Sequence, residues 1–243
     1  MRSFFLCLSF LRKGEKGVNE KVFDTIKAFV VSLEYDSVHD INHIFRVLFN
    51  ALYIAEDYSV DYDVLISACL LHDIGRSKKY KTENVPHAGS GAEAAREYLL
   101  GLGFPSNMAD RVSDCIVTHS FRGTRAPVSI EAKVLFDADK IDLTGCVGIA
   151  RALSFGSEID EPLYFADDMG IMQAGDIDMQ TSFINTYDTI FKNLDERMYT
   201  QRGLDIILRR KQSAEMFYVD LLKEIEETQQ NQALLSKVLV KQR

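Results

Sequence analysis

The sequence has few cysteines, and none of them lie close together. Cys7, Cys69, Cys115 and Cys146 are separated by 62, 46 and 31 residues. Zinc ribbons and the disulfide frameworks of small secreted domains place cysteines at short, repeated spacings. The spacing therefore argues against both classes, and we expect free thiols in a reducing cytoplasm.

Long apolar runs are also missing. A transmembrane helix needs about 20 consecutive apolar residues, and the closest approach is the segment from Phe4 to Leu11. Arg12 and Lys13 follow it, rather than the small residues of a signal-peptide cleavage site. We expect residues 1–17 to form an N-terminal tail, and we expect no membrane association.

Positive charge is in deficit. Lysine and arginine number 28 against 36 aspartates and glutamates, which gives a net charge of −8 at pH 7. A net anion repels phosphate backbones and anionic lipids at long range, so a nonspecific nucleic-acid binder is excluded. The hydrophobic fraction of 47% and the charged fraction of 26% are typical of a folded globular protein.

Proline is scarce and the common turn dipeptides are absent, which disfavours hairpins. The chain has four prolines and no Asn-Gly or Asp-Gly pair. Apolar residues instead recur at helical spacing through most of the chain. Residues 64–71 predict a buried helix, residues 179–198 one long amphipathic helix, and residues 204–225 another. The predicted fold class is all-α, with an irregular stretch at 154–178.

Two His-Asp dipeptides occur in a chain with only five histidines. They are His39-Asp40 and His72-Asp73. One such pair is weak evidence, but the second directly follows the apolar run 64–71. Ionisable groups at the end of a buried helix cost several kcal/mol unless they have a partner, and a divalent metal satisfies both.

A metal at this pair needs further ligands from other helices, because neighbouring helical residues point about 100° apart. His43 lies on the apolar face of an earlier predicted helix. An acidic segment at 137–142 directly follows the apolar run Val134–Phe136. Carboxylates that follow a buried segment in this way are expected to face inward.

Taken in order, these three segments resemble the HD superfamily of metal-dependent phosphohydrolases. The resemblance rests on residues 39–47, 70–75 and 137–142, and similarity to bacterial HD proteins that act on nucleotides covers roughly residues 20–225. It implies an HD-domain helical bundle with additional C-terminal helices. The expected single domain spans 18–243, with a metal-binding core at about 38–143 and a C-terminal helical extension at about 178–243.

The resemblance also implies the metal ligands. Carried over position by position, they are His43, His72, Asp73 and Asp139. The pair His39-Asp40 is left outside the site. Imidazole nitrogen combined with carboxylate oxygen suits Mn²⁺, Fe²⁺, Co²⁺, Ni²⁺ or Zn²⁺, and the sequence does not choose among these ions or Mg²⁺.

Four further residues are candidates for the same site. We expect His87 and His119 to contact either the substrate or a second metal. Arg76 and Lys140 are candidates for binding phosphate. Each has a simpler interpretation, since Arg76 belongs to a basic loop that solvent alone can stabilise and Lys140 can pair with a neighbouring carboxylate.

The expected activity is hydrolysis of a phosphate ester or anhydride. A nucleotide is the expected small phosphorylated substrate, with a triphosphate cleaved to monophosphate and pyrophosphate. Two alternatives stay open: a di-iron HD oxygenase that uses the six histidine and aspartate candidates, and a non-catalytic nucleotide or metal sensor. The sequence leaves the oligomeric state open, a homodimer included.

Overall fold

A computed structural model describes residues 20–81, 85–120, 125–173 and 181–240. The predicted N-terminal tail at 1–17 lies outside these residues. The described chain divides into two compact units, one ending at Phe136 and the other beginning at Asp137. The prediction of a single domain over 18–243 stays a prediction.

The described residues are overwhelmingly helical, which confirms the all-α fold and the additional helices at the C-terminal end. The α-helices are α1 (Glu20–Val31), α2 (Ile41–Ala55), α3 (Tyr62–Leu71), α4 (His87–Gly101), α5 (Ser106–Thr118), α6 (Ile130–Ile141), α7 (Gly145–Glu158), α8 (Phe183–Thr189), α9 (Gln201–Gln230) and α10 (Gln232–Val240). Short 3₁₀-helices span Ile74–Arg76 and Phe191–Arg197.

Helix α3 lies at the centre of the first unit, as its apolar sequence predicts. It contacts α1, α2 and α5, and Val64, Leu65 and Leu71 are completely buried. Asp61 caps the start of the helix, and its side chain accepts hydrogen bonds from the backbone N–H groups of Asp63 and Val64. Because α3 is covered on all sides, the residues that follow its last turn emerge inside the unit.

The 3₁₀-helix after α3 packs directly on the backbone of α4. A Cβ atom added to Gly75 would lie 2.1 Å from the carbonyl oxygen of His87 and 2.8 Å from the backbone nitrogen of Gly91. Only glycine permits an approach this close. The contact holds the first residue of α4 next to the turn that follows Asp73.

The second unit has its own apolar core. Ile149 of α7, Phe183 and Tyr187 of α8, and Ala214 of α9 form a buried cluster. Within this unit, Asp137 is completely buried and accepts hydrogen bonds from the backbone N–H groups of Tyr199 and Thr200 and from the Thr200 hydroxyl. These bonds connect the last turns of α6 to the start of α9.

The expectation of one long helix over residues 179–198 is wrong. Residues 183–197 form α8 and a 3₁₀-helix rather than part of one long helix, and Asn193 within the second segment has non-helical backbone angles. The apolar spacing is still used, since Phe183, Tyr187 and Leu194 are all buried. Helix α8 ends at Thr189, and Asn193 lies at the non-helical position of the next segment. Threonine and asparagine have low helix propensity, so little is lost when the helix is interrupted there and the two short segments pack separately.

The stretch expected to be irregular at 154–178 contains more structure than predicted. Helix α7 continues to Glu158, and strands β1 (Phe165–Ala166) and β2 (Met172–Gln173) pair antiparallel. The Asp167 side chain accepts hydrogen bonds from the backbone of Met169 and Ile171, and Gly170 takes a φ of 80°. The turn therefore uses an aspartate and a separate glycine instead of an Asp-Gly pair.

Among the described residues, no helix is both long enough and apolar enough to cross a bilayer.

Candidate metal centre

His43 enters the site from the first turn of α2. Asp40 caps the start of this helix, and its carboxylate accepts a hydrogen bond of 2.8 Å from the backbone N–H of His43. The imidazole lies on the same buried face as Ile44 and Val47 and is itself 1% exposed. The start of α2 therefore directs one imidazole into the interior of the first unit.

His72 and Asp73 lie directly after α3. His72 is completely buried and Asp73 is 2% exposed. The Nδ1 atom of His72 lies 2.8 Å from the carbonyl oxygen of Cys69. A carbonyl oxygen only accepts, so Nδ1 carries the proton and the lone pair of the imidazole is on Nε2. A bond of this kind is the usual way in which proteins orient a metal-binding histidine.

Three donor atoms of these residues form a nearly equilateral triangle. Its sides are 3.3 Å from His43 Nε2 to His72 Nε2, 3.4 Å from His43 Nε2 to Asp73 Oδ2, and 3.5 Å from His72 Nε2 to Asp73 Oδ2. The mean side divided by the square root of three places the centre about 2.0 Å from each atom, a distance typical of bonds from zinc to nitrogen and oxygen. Two imidazole nitrogens and a carboxylate oxygen in this arrangement fit a divalent ion.

A second group of potential ligands shares Asp73. The atoms that Asp73, His87 and His119 offer lie within 4.8 Å of one another. His119 Nδ1 lies 2.5 Å from the carbonyl oxygen of Ile116, and its Nε2 is 3.6 Å from Asp73 Oδ1. His87 is the first residue of α4. Asp73 Oδ2 therefore faces His43 and His72, whereas Oδ1 faces His119.

Arg76 occupies part of this second group. Its Nε donates a hydrogen bond of 3.0 Å to Asp73 Oδ1, and its Nη2 is 3.1 Å from His87 Nε2. Arg76 therefore has protein partners besides solvent, whereas Lys78 nearby is highly exposed and pairs with Glu34. A role in phosphate binding stays a prediction.

The surroundings of Asp73 favour its ionised form. Burial alone would raise the pKa of this carboxyl, but attraction to His72, hydrogen bonds from His119 and His43, and the charge of Arg76 outweigh it. The pKa of Asp73 is held well below its usual range. The carboxylate is thus available to a cation across the whole neutral range.

The other His-Asp pair has a structural role. His39 Nδ1 lies 2.7 Å from Asp36 Oδ2, and hydrogen bonds from His39 offset the effect of burial and lower the pKa of Asp36 to about 2. Asp40 begins α2. Both members of the pair therefore have partners of their own, as expected for residues outside the metal site.

Asp139 and Lys140 lie near the end of α6, in the second unit. Both side chains are largely buried, and Lys140 Nζ is 2.5 Å from Asp139 Oδ2. The carboxylate pairing expected as the alternative for Lys140 is therefore present. Asp139 as the fourth ligand, and Lys140 as a phosphate contact, stay predictions.

Tyr35 is a residue that sequence reasoning missed. Its hydroxyl is buried without a hydrogen-bond partner among the described residues. Burial, and then the negative charge of Asp73, raise the pKa of this hydroxyl. Both neighbours of Tyr35 are held in place: the Glu34 carbonyl accepts from the backbone N–H of Lys78 at 3.0 Å, and Asp36 binds His39. No periodicity marks Tyr35, because it precedes α2 in an irregular segment.

Comparison with known proteins identifies the family. Residues 40–144 match the HD domain family. The uncharacterised protein YpgQ of Bacillus subtilis is 34% identical over 150 residues, which are 59% of this chain and 71% of YpgQ. This chain belongs to the HD-domain family. The HD match begins at Asp40, immediately before α2, and it includes every candidate ligand named above.

Solved structures agree with the assignment to the HD-domain family. YpgQ in complex with ADP is 28% identical, with a TM-score of 0.64 over 84% of this chain and 97% of YpgQ. A predicted HD superfamily hydrolase from an uncultured Thermotogales bacterium is 29% identical, with a TM-score of 0.55 over 84% of this chain and 91% of the other. The chain has the HD-superfamily hydrolase fold with a candidate metal site.

Proposed function

We propose that this HD-domain protein is a metal-dependent phosphohydrolase that cleaves a nucleoside triphosphate to a monophosphate and pyrophosphate. The triangle of His43 Nε2, His72 Nε2 and Asp73 Oδ2, with sides of 3.3–3.5 Å, is the observation that carries the proposal. Asp139 would supply a fourth ligand from α6. Manganese, iron, cobalt, nickel, zinc and magnesium all remain candidates for the ion.

Two relatives support the choice of substrate and reaction class. YpgQ has been crystallised with ADP, and the relative from the Thermotogales bacterium is described as a predicted hydrolase. The balanced reaction consumes one water: an oxygen–phosphorus bond forms at the α-phosphorus, and the bond from that phosphorus to the oxygen that bridges the α- and β-phosphorus breaks. That oxygen leaves with pyrophosphate as a terminal oxygen, and the protons of the water pass to the products and to solvent.

In this proposal each residue of the site has its own role. A bound divalent ion supplies Lewis acidity toward phosphoryl oxygens and lowers the pKa of water. The Cys69 carbonyl fixes the ring of His72 so that Nε2 faces His43 Nε2 and Asp73 Oδ2, with which it would hold the ion. Asp73 stays ionised and offers Oδ2. The Tyr35 hydroxyl, which has no partner among the described residues, can donate to a phosphoryl oxygen.

The test is hydrolysis of a panel of nucleoside triphosphates by the purified chain. Each divalent ion is supplied in turn after chelation, and products are separated by anion-exchange chromatography. We expect monophosphate and pyrophosphate in equal amounts. Asp73→Ala should abolish turnover, because it removes a carboxylate that both groups of histidines share. His39→Ala is the matched control, since His39 pairs with Asp36 instead, and it should retain activity.

Two results would contradict the proposal. Nucleotide binding without release of any phosphate product, with every ion tested, would favour a non-catalytic sensor. Full activity in Asp73→Ala would place the reaction elsewhere in the chain. Circular dichroism of each variant should retain the helical spectrum, so that loss of turnover reports on the site.

A further inference from the structure

The guanidinium of Arg76 lies among the atoms that a second metal ion would need. Its Nε binds Asp73 Oδ1 at 3.0 Å and its Nη2 lies 3.1 Å from His87 Nε2. Both contacts go to members of the group formed by Asp73, His87 and His119. The Arg76 side chain is 28% exposed and the Asp73 side chain is 3% exposed, so the pair is mostly shielded from water.

Local backbone geometry explains the position of Arg76. Asp73 immediately precedes the 3₁₀-helix Ile74–Arg76, and Arg76 is its last residue. Side chains three residues apart lie above one another in a 3₁₀-helix. Arg76 is therefore directed to the same face as Asp73, while the contact at Gly75 holds the backbone of His87 beside both.

A guanidinium in this position competes with a metal ion in two ways. A guanidinium carries a positive charge and offers only hydrogen-bond donors. Donation to His87 uses the lone pair on Nε2, and donation to Asp73 uses a lone pair on Oδ1. A cation bound by the same atoms would also be repelled by the positive charge. The triangle with His43 and His72 uses Asp73 Oδ2 instead. An ion in that triangle and the guanidinium of Arg76 can therefore be bound at the same time.

We propose that Arg76 takes the place of a second metal ion and makes this HD site mononuclear. The inference rests on metal binding by the proposed hydrolase, but it concerns the number of ions and not the reaction. His43, His72 and Asp73 Oδ2 hold the one ion. His87 and His119 then hold no ion of their own, and His87 Nε2 stays in contact with Arg76 Nη2.

The number of ions is measured directly. The chain is stripped with chelator, titrated with Mn²⁺ by calorimetry, and analysed for manganese after removal of free ion. We expect one ion per chain in the unsubstituted protein and two in Arg76→Met, which removes the charge and keeps the aliphatic bulk. Arg76→Gln, which is neutral and polar, is measured in parallel and should also bind two. Arg96→Met is the matched control, because Arg96 is an exposed arginine paired with Asp110, and it should bind one.

A double variant assigns the additional ion. Arg76→Met combined with His87→Ala should return to one ion, because His87 belongs only to the second group. A single ion in both Arg76 variants would overturn the proposal, and so would two ions in the unsubstituted chain. No bound ion in the unsubstituted chain would refute the metal site altogether. One ion without turnover of any nucleotide would refute the proposed function and leave the role of Arg76 intact.

Discussion

The hydroxyl of Thr200 performs two tasks at the start of α9. It accepts a hydrogen bond of 3.1 Å from the backbone N–H of Gly203, which caps the helix, and it donates one of 2.5 Å to Asp137. Thr200 and Asp137 are both buried. The substitution Thr200→Val keeps the branched shape and removes the hydroxyl, so it isolates the contribution of these two bonds.

The expected loss of stability follows from the two hydrogen bonds of the Thr200 hydroxyl. Loss of a threonine cap costs about 1 kcal/mol, and a hydrogen bond to a charged group contributes roughly 1.5–3 kcal/mol. Since one hydroxyl makes both bonds, we expect Thr200→Val to lower the free energy of unfolding by about 3 kcal/mol at pH 8. Thr200→Ser retains the hydroxyl and should lose less than about 1 kcal/mol.

The penalty should also depend on pH. Burial raises the pKa of Asp137 to about 6, although hydrogen bonds from Thr200 and Tyr199 oppose this rise. Because the folded pKa exceeds the unfolded value of about 4, the unsubstituted protein loses stability as pH rises from about 4 to about 6. Thr200→Val removes a bond that favours the carboxylate, so its penalty is larger at pH 8 than at pH 5.

Urea denaturation at both pH values measures these differences through the midpoint and the slope. We expect the penalty to fall to roughly 1 kcal/mol at pH 5, where mainly the cap is lost. An equal penalty at the two pH values would refute the assignment of charge to Asp137. An equal penalty for serine and valine would refute the role of the hydroxyl.

Three further predictions concern the first unit. Gly75→Ala should cost roughly 3 kcal/mol in thermal or urea unfolding, because its Cβ would lie 2.1 Å from the His87 carbonyl oxygen; an unchanged midpoint would disprove that contact. Tyr35→Phe should raise the free energy of unfolding of metal-free protein by about 1 kcal/mol, because it removes an unpaired buried hydroxyl, and a decrease would reveal a partner. Mn²⁺ at a hundred times its dissociation constant should stabilise the chain by about 2.7 kcal/mol, reversibly with chelator; His72→Ala should show no such shift.

Much of the fold and part of the site can be predicted from sequence because burial leaves a clear pattern. The apolar run in α3, in which Ser67 is the one polar residue, predicts a central helix, and its end predicts that His72 and Asp73 emerge inside the protein. His43 follows from the apolar face of α2. These arguments need only helical periodicity and the cost of burying polar groups.

The remaining features depend on backbone geometry that periodicity does not encode. The contact of Arg76 with Asp73 requires a 3₁₀-helix after α3, and its contact with His87 requires the close approach at Gly75. Tyr35 lies in an irregular segment. The error at 183–197 has a related origin, since two short segments can bury the same apolar residues as one long helix.

The two His-Asp pairs stand at opposite ends of their helices. His39-Asp40 precedes the first residue of α2, whereas His72-Asp73 follows the last residue of α3. The start of a helix carries partial positive charge from free N–H groups, and its end carries partial negative charge from free carbonyls, an effect of about 0.3–1 kcal/mol per charge. An aspartate at the start is therefore already satisfied by the backbone. One at the end adds to the negative potential and attracts a cation, so the same dipeptide serves as a cap in one place and as a cation site in the other.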